Sequence, residues 1–338
     1  MTSRERVQRT LKFQNPDRPP RELWALPGVG QFRRAELDAL QARFEWDFTG
    51  PRGEYGRSER ARGDYLSVAP TVDEWGVTWV RGEPGVVGEV RQAILADDAE
   101  IGRYRLPWEL LDNATFVTAN AEPSSSDKFV RAGTQARPFE RLQFLRGSER
   151  LLADLAYGTP AVMGLLGQLH EFFVREMEMW AGTTVDGVSF MDDWGAQNSL
   201  LISPAMWRQI FKPLYADYCR IMHRAGKSVF FHSDGHIADI IPDLIEIGVD
   251  AVNSQLFCMD IEQLAATHKG HITFWGEMDR QHILPFGSAD DVRDAVRRVR
   301  RALDDGRGGV IAQCEWGLRD PAANVAAVYE TWDEPRPA

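Results

Sequence analysis

Beyond about residue 126, the chain alternates short apolar runs with longer segments whose apolar residues recur at helical spacing. The segment VMGLLGQLHEFFVREM has this spacing and predicts a helix over residues 158–181. Ser203 and Pro204 mark the start of another helix, which runs to about residue 226. Further helices are predicted at about 137–156, 236–247, 260–268, 288–304 and 321–332. Strands are predicted at residues 129–132 and in the segments DGVSFMDDWG, KSVFFHSD, DAVNSQ, HITFWGE and GGVIAQCE.

The first 125 residues are less regular. Residues 1–13 have the pattern of a short amphipathic helix, and LWALPG resembles a strand that ends in a turn. DEWGVTWVRG alternates polar and apolar residues as a hairpin strand does, whereas residues 29–70 give no clear pattern. We therefore predict one domain over residues 1–338, with an irregular N-terminal part with insertions (1–125) and regular βα units (126–335).

The alternation of short strands with helices predicts parallel βαβ units and an α/β fold. No strand is followed by the glycine-rich motif of a dinucleotide site or a P-loop. At least five βα units without such a motif favour a (β/α)8 TIM barrel over a doubly wound sheet. In that barrel the active site lies where the strands end and the βα loops begin.

Composition and charge exclude several classes of partner. The net charge is −11 and there is no long basic run, which argues against nucleic acid and against an anionic membrane surface. No apolar run approaches the roughly 18 residues of a membrane span, and the charged start is unlike a signal peptide. Three scattered cysteines do not form a disulfide framework, so we expect a cytoplasmic protein.

Polar groups that can bind a metal or a substrate follow five of the predicted strands. Loops are polar in any case, but histidine, cysteine and several acids together are a chemically selective set. In chain order these residues are Asp192 and Asp193, His232 and Asp234, Asn253 and Gln255, Glu277 and Asp279, and Gln313, Cys314 and Glu315. The sequence thus predicts a pocket at one rim of the barrel.

Three of these residues suit a zinc ion. His232, Asp234 and Cys314 would supply an imidazole, a carboxylate and a thiolate, with a fourth position left vacant as in catalytic zinc sites. Taken singly, His232 is better explained as a buried histidine and Cys314 as a small hydrophobic residue, and it is their pairing across two strands that favours a metal. Trp194 and Trp316 are core candidates that also lie beside the rim, where they would wall an aromatic or flat substrate.

Four segments of the chain carry a family resemblance: MDDWGAQNSLLISPAMWRQIFKPLY, VFFHSDGHIADIIPDLIEIGVDAVN, WGEMDRQHILPFG and VIAQCEWGLRDPAANVAAVYE. In them, and in the opening SRERVQRTLKFQNPDRPP, the chain resembles the uroporphyrinogen decarboxylase superfamily. That resemblance implies a (β/α)8 barrel. It also implies one of two chemistries, tetrapyrrole decarboxylation without metal or corrinoid-linked methyl transfer, and it makes a homodimer a reasonable expectation.

The decarboxylase motif is absent. True decarboxylases carry an RQAGR-like loop soon after the first strand, whereas the matching segment here is LWALPGVGQFRRAEL. Arg33 and Arg34 come later and have a helical context. The zinc methyltransferases of the superfamily use His-x-Cys on one strand and a cysteine on the last. Here His232 and Cys314 keep two of these places, Asp234 stands where the middle cysteine belongs, and Glu277 is a further ligand candidate.

The resemblance therefore points to a zinc methyltransferase with one zinc per chain, a small-molecule substrate and a corrinoid protein (cobalamin) as partner. An oxygen ligand in place of sulfur leaves the metal a stronger Lewis acid, which favours an oxygen-bearing substrate such as a methoxy compound. In this hypothesis Asp192, Asp193 and Glu277 orient the substrate or move protons. Gln197, Asn253 and Gln255 supply hydrogen bonds.

Two alternatives remain open at this point. One is a metal-free decarboxylase or related lyase acting on a non-porphyrin acid, in which Asp192 or Asp193 protonates the developing carbanion. The other is a non-catalytic barrel that binds a corrinoid or a tetrapyrrole, since a fold alone does not establish catalysis.

Overall fold

Eight parallel strands form a nearly closed barrel surrounded by helices, which confirms the predicted (β/α)8 fold. A computed structural model describes residues 1–64, 67–276 and 278–336. The barrel strands are β1 (Arg21–Ala25), β2 (Phe48–Thr49), β3 (Phe129–Gly133), β4 (Gly187–Met191), β5 (Ser228–Ser233), β6 (Ala251–Ser254), β7 (Thr273–Trp275) and β8 (Val310–Trp316). Each pairs with its neighbour in chain order from β2 to β8, and β8 pairs with β1.

The α-helices of the described residues either come after a barrel strand or belong to the N-terminal part of the chain. They are α1 (Ser3–Leu11), α2 (Pro27–Phe32), α3 (Arg34–Arg43), α4 (Asp98–Ile101), α5 (Glu109–Asp112), α6 (Val117–Ser125), α7 (Pro138–Arg146), α8 (Ser148–Tyr157), α9 (Pro160–Ala181), α10 (Pro204–Ile210), α11 (Lys212–Arg224), α12 (Ile241–Ile247), α13 (Ile261–His268), α14 (Ile283–Phe286), α15 (Ala289–Leu303) and α16 (Ala322–Trp332). None of them is long and apolar enough to cross a membrane.

Three parts of the chain differ from the sequence prediction. The helix predicted at about 137–156 is divided at Gly147 into α7 and α8. The single helix predicted over residues 204–226 is divided into α10 and α11, which meet at Phe211. Pro213 lies in the first turn of α11, where its missing N–H does no harm, but it could not continue the hydrogen bonding of α10. Residues 29–70, which gave no clear pattern, contain α3 and the two-residue strand β2.

The predicted hairpin is present outside the barrel. Thr71–Val72 pairs antiparallel with Thr78–Val80, and Glu89–Val90 adds a third short strand. Gly76 lies in the turn between the first two strands with a φ of 84°, a value that favours glycine.

The N-terminal helix α1 covers the bottom of the barrel. Val7 and Leu11 pack with the inward side chains of the lower barrel, which are Phe129, Phe230, Ala251, Trp275 and Ile311. Backbone hydrogen bonds join the two ends of α1 to the chain just before β3 (Arg4 N to Asp127 O, 2.7 Å) and just before β8 (Gly309 N to Thr10 O, 3.0 Å). The helix therefore seals the end of the barrel opposite the predicted pocket.

A buried ion pair lies between this apolar layer and the mouth. Arg131 of β3 donates two hydrogen bonds to Glu22 of β1, at 2.9 and 2.6 Å, and its guanidinium lies 4.2 Å from the centre of the Trp275 ring. Trp275 Nε1 also donates to Glu22, at 2.8 Å. These bonds satisfy charges that would otherwise be costly to bury.

Replacement of Leu11 by alanine tests the sealing role of α1. We expect the free energy of unfolding to fall by about 2–4 kcal/mol, because a side chain that fills the barrel end is truncated. Chemical denaturation measures this change, and the exposed neighbour Lys12→Ala is the matched control. Equal stability of the two variants would contradict the packing described here.

Candidate metal and active site

The alternation of side chains along β5 points His232 and Asp234 into the barrel mouth. Phe230 belongs to the inward apolar cluster, and His232 and Asp234 follow at intervals of two residues. Strand β4 runs parallel to β5 with Met191 in register with His232, so Asp193 lies beside Asp234. The register thus brings together three potential ligands from two adjacent strands.

The three side chains form a compact group. The Nε2 atom of His232 lies 3.6 Å from Asp193 Oδ1 and 3.5 Å from Asp234 Oδ1. One ligand atom from each residue lies within 4.8 Å of the other two, close enough for a single cation. Partial burial raises the pKa of Asp193, while the adjacent His232 ring lowers it. Two carboxylates and an imidazole suit a divalent metal such as zinc.

Hydrogen bonds fix the tautomer of His232. Its Nδ1 lies 2.7 Å from Asn253 Oδ1, while the Asn253 amide donates to the backbone oxygen of Trp275 and to Gln313 Oε1. Because the amide nitrogen of Asn253 is used in this way, its oxygen accepts and His232 Nδ1 must donate. The Nε2 lone pair of neutral His232 therefore faces the two carboxylates, which is unfavourable without a cation or a proton between them.

The surroundings of the Asp234 carboxylate also fit a metal ligand. Its Oδ2 accepts a hydrogen bond from Arg280, which in turn donates to Glu315 at 2.5 Å. Its Oδ1 is buried and has no hydrogen-bond donor among the described residues. A buried carboxylate oxygen without a donor, facing an imidazole lone pair, fits the position of a metal ligand.

Asp192 points away from the mouth. It is fully buried and accepts hydrogen bonds from the backbone N–H groups of Phe139 and Glu140 and from the hydroxyl of Tyr215, at 2.8, 2.7 and 2.6 Å. The two N–H groups lie in the first turn of α7, so Asp192 caps this helix from another element. Burial raises the pKa of Asp192 to about 7, against the opposing effect of its three donors.

Cys314 lies on the outer face of its strand. Gln313 and Glu315 face the mouth, where they contact Asn253 and Arg280, so the residue between them points the other way. The Cys314 side chain is fully buried in the apolar core between the strands and the helices. The structure therefore does not bring Cys314 into the group formed with His232.

The two tryptophans predicted beside the rim are core residues. Trp194 is fully buried, stacks on Phe139 with ring centres 4.1 Å apart and donates to the Tyr215 hydroxyl. Trp316 is also fully buried, and its Nε1 donates to the backbone oxygen of Asp320. Trp24, which sequence reasoning did not select, reaches the site instead, with its ring centre 5.4 Å from that of His232.

The three residues that were predicted to supply hydrogen bonds at the substrate site lie in two different places. Asn253 lies behind His232, as described above. Gln197 and Gln255 line a small cavity of about 40 Å³ beside the mouth, together with Met278 and Arg280. Glu277, predicted as a catalytic residue or ligand, lies outside the described residues.

Glu140 is a second residue that the sequence did not reveal. It lies in the first turn of α7, and one of its carboxylate oxygens is buried without a hydrogen-bond donor among the described residues. Burial raises its pKa to about 8, and the negative charges of Asp193 and Asp192 add to the effect. Arg137, 4.0 Å away, and Arg141 lower the pKa, but their effects are smaller.

The register of the parallel strands determines which residues point inward. Inward side chains on parallel strands share a register, so the assignment of His232 to the inside also assigns Asp193, Asn253 and Trp24 and excludes Cys314. The register itself is not readable from one sequence, because neighbouring strands are joined by loops and helices of different lengths.

The fold and the polar mouth define the molecule as an α/β barrel with a candidate metal site at the C-terminal ends of its strands. The sequence model of the uroporphyrinogen decarboxylase (URO-D) family matches residues 128–334. The chain therefore belongs to this family, as its sequence segments suggested. A comparison with curated protein sequences gave no match.

Solved structures resemble the whole chain. A methyltransferase from Methanosarcina mazei superposes with a TM-score of 0.72 and 14% sequence identity, covering 98% of each chain. A family 10 endo-β-1,4-xylanase from Gloeophyllum trabeum covers 96% of this chain and 99% of its own at a TM-score of 0.46 and 10% identity. At such identities the first likeness shows the shared fold, and the second is too weak to add to it.

The raised pKa of Glu140 predicts a dependence of stability on pH. Between its ordinary pKa of 4.5 and about 8, the folded protein retains a proton that the unfolded chain has lost. The free energy of unfolding should therefore fall as the pH rises from 5 to 8. In metal-free buffer, Glu140→Gln should reduce this fall by at least about 1 kcal/mol.

Urea denaturation at the two pH values measures the effect. Glu149→Gln, an exposed residue on α8, is the control and should behave as the unmodified protein does. An identical loss of stability in Glu140→Gln and the unmodified protein would show that Glu140 is ionised in the fold at pH 5.

Proposed function

We propose that the protein is a zinc-dependent methyltransferase of the URO-D family. It moves a methyl group between a methylated small molecule, such as a methoxy compound, or a methylated corrinoid protein, and an acceptor. The observation that carries the proposal is the grouping of Asp193, His232 and Asp234 at the barrel mouth. The likeness of the whole fold to the Methanosarcina mazei methyltransferase supports it.

Asp193, His232 and Asp234 are the proposed ligands. When bound, the cation supplies Lewis acidity to an oxygen or sulfur atom of the substrate. Two carboxylates and one neutral imidazole balance the charge of Zn²⁺ without a thiolate. Oxygen and nitrogen donate less electron density than sulfur, so this set favours an oxygen-bearing substrate over activation of a thiol.

The surrounding residues prepare the ligands. Asn253 holds His232 in the tautomer with a free Nε2, and Arg280 orients Asp234 through its other oxygen. Loss of such bonds to the ligands commonly lowers metal affinity by about 10-fold to 100-fold. Trp24 packs against the His232 ring in an edge-type contact, with the ring centres 5.4 Å apart.

Other residues at the mouth are proposed to act on the substrate. Gln197 and Gln255 offer amide groups to its polar atoms from the adjacent cavity. Glu140, whose pKa is raised by burial, is placed to hold a proton close to the Asp193 carboxylate. A carboxyl group of this kind suits donation of a proton to a departing oxygen atom.

Metal content tests the ligand set. The purified protein should contain about one zinc per chain. His232→Ala and Asp193→Asn should lose most of it because each removes a ligand, whereas Cys314→Ala should retain it. Elemental analysis of the folded variants, with circular dichroism as the check on folding, measures this. Loss of zinc from Cys314→Ala with retention in Asp193→Asn would favour the cysteine-containing set instead.

Methyl transfer itself is tested with free cob(I)alamin as acceptor and methanol or 2-methoxyphenol as donor. Formation of methylcobalamin, followed by absorbance, should fall at least about 100-fold in His232→Ala, since Lewis-acid activation contributes several kcal/mol. Cys314→Ala should keep the activity. Release of carbon dioxide from a carboxylic acid substrate without methylcobalamin would instead support the decarboxylase alternative.

A further inference from the structure

The barrel wall is open between β1 and β2. These two strands end the order of the eight-stranded sheet and are not paired with each other. Near the bottom of the barrel they are joined by Asp47, whose N–H donates to Arg21 O at 3.1 Å and whose carboxylate accepts from Arg21 N at 2.7 Å. A cavity of about 910 Å³ is lined by residues of both strands, of α3 and α6, and of the chain just before β3.

We propose that this cavity, here called the side cavity, binds a small organic anion that carries carboxylate or phosphate groups. Four cationic side chains and two carboxylates line it, in a chain whose net charge is −11. The cations are Arg21, Arg52, Lys128 and Arg131, and the acids are Glu22 and Glu122.

The two acids are already engaged. Glu22 accepts two hydrogen bonds from Arg131 and one from Trp275, and Glu122 accepts a hydrogen bond from Thr49 Oγ1. Arg52 and Lys128 lack a carboxylate within 4.0 Å among residues 1–64, 67–276 and 278–336. The side cavity therefore offers two cations that the described part of the chain does not neutralise.

The two other arginines of the cavity have unused donors. Arg21 and Arg131 have side chains that are 7% and 10% exposed, and the Nε of each is buried without an acceptor in the described residues. Arg21 is also paired with Asp333 and Arg131 with Glu22, so the attraction for an anion rests mainly on the two cations without a carboxylate partner, Arg52 and Lys128. Arginine is well suited to carboxylate and phosphate because its donors match their oxygen atoms.

The size and the walls of the side cavity limit the ligand. A volume of about 910 Å³ suits a molecule of metabolite or cofactor size. Trp46 and Phe48 add an apolar wall, so the ligand carries a hydrocarbon portion beside its acidic groups. None of the proposed zinc ligands lines this cavity, so the inference does not rest on the proposed function.

Calorimetric titration of the intact protein at low salt tests the proposal with two probes, glutarate for carboxylate and inorganic phosphate for phosphate. We expect one or both to bind, and the tighter one identifies the class of acidic group. Glutaramide, the neutral diamide of glutarate, should bind at least about tenfold more weakly, because it has no charge for the cations to attract.

The variant R52A/K128A should weaken binding by about tenfold or more, since it removes the two cations without a carboxylate partner. The control K12A/R103A removes one exposed lysine and one exposed arginine elsewhere and should bind as the unmodified protein does. His232→Ala should also bind normally, which separates this result from the fate of the zinc proposal. Equal binding by R52A/K128A, equal binding of glutaramide, or no binding of either anion would overturn the inference.

Discussion

The site depends on the register of parallel strands, because register and alternation together decide which side chains meet at the barrel mouth. His232 is in register with Met191 and Asn253, so the residue two positions beyond Met191 lies beside Asp234. A shift of one residue would turn Asp193 outward and Asp192 inward. The same rule places Asn253 behind His232 and leaves Cys314 among the apolar residues outside the barrel.

Electrostatics explains why these residues form more than a polar rim. Two carboxylates and an imidazole lone pair converge, and Arg280 neutralises only part of the negative charge. Asn253 prevents His232 from turning its N–H toward the carboxylates, because the amide itself is held by Trp275 and Gln313. A cation would balance the charge of the two carboxylates and bind the imidazole lone pair. The surrounding barrel supplies the rigid support that a metal site needs.

The sequence predicted the regular βα units well because their strands are buried on both faces and their helices are amphipathic. It did not reveal β2, since two residues carry no periodicity, and it could not show that α10 and α11 divide at Phe211. For the candidate site, it selected His232 and Asp234 by their position at a strand end. It could not choose between the adjacent Asp192 and Asp193, because that choice depends on a register set by other strands.

The central claim is that oxygen and nitrogen atoms from two adjacent strands, without sulfur, hold the cation. X-ray absorption spectroscopy of the zinc-loaded protein tests it most directly, because sulfur scatters differently from the lighter atoms. The account predicts a ligand shell of nitrogen and oxygen only, unchanged in Cys314→Ala. A sulfur atom in the zinc shell that disappears in that variant would contradict it.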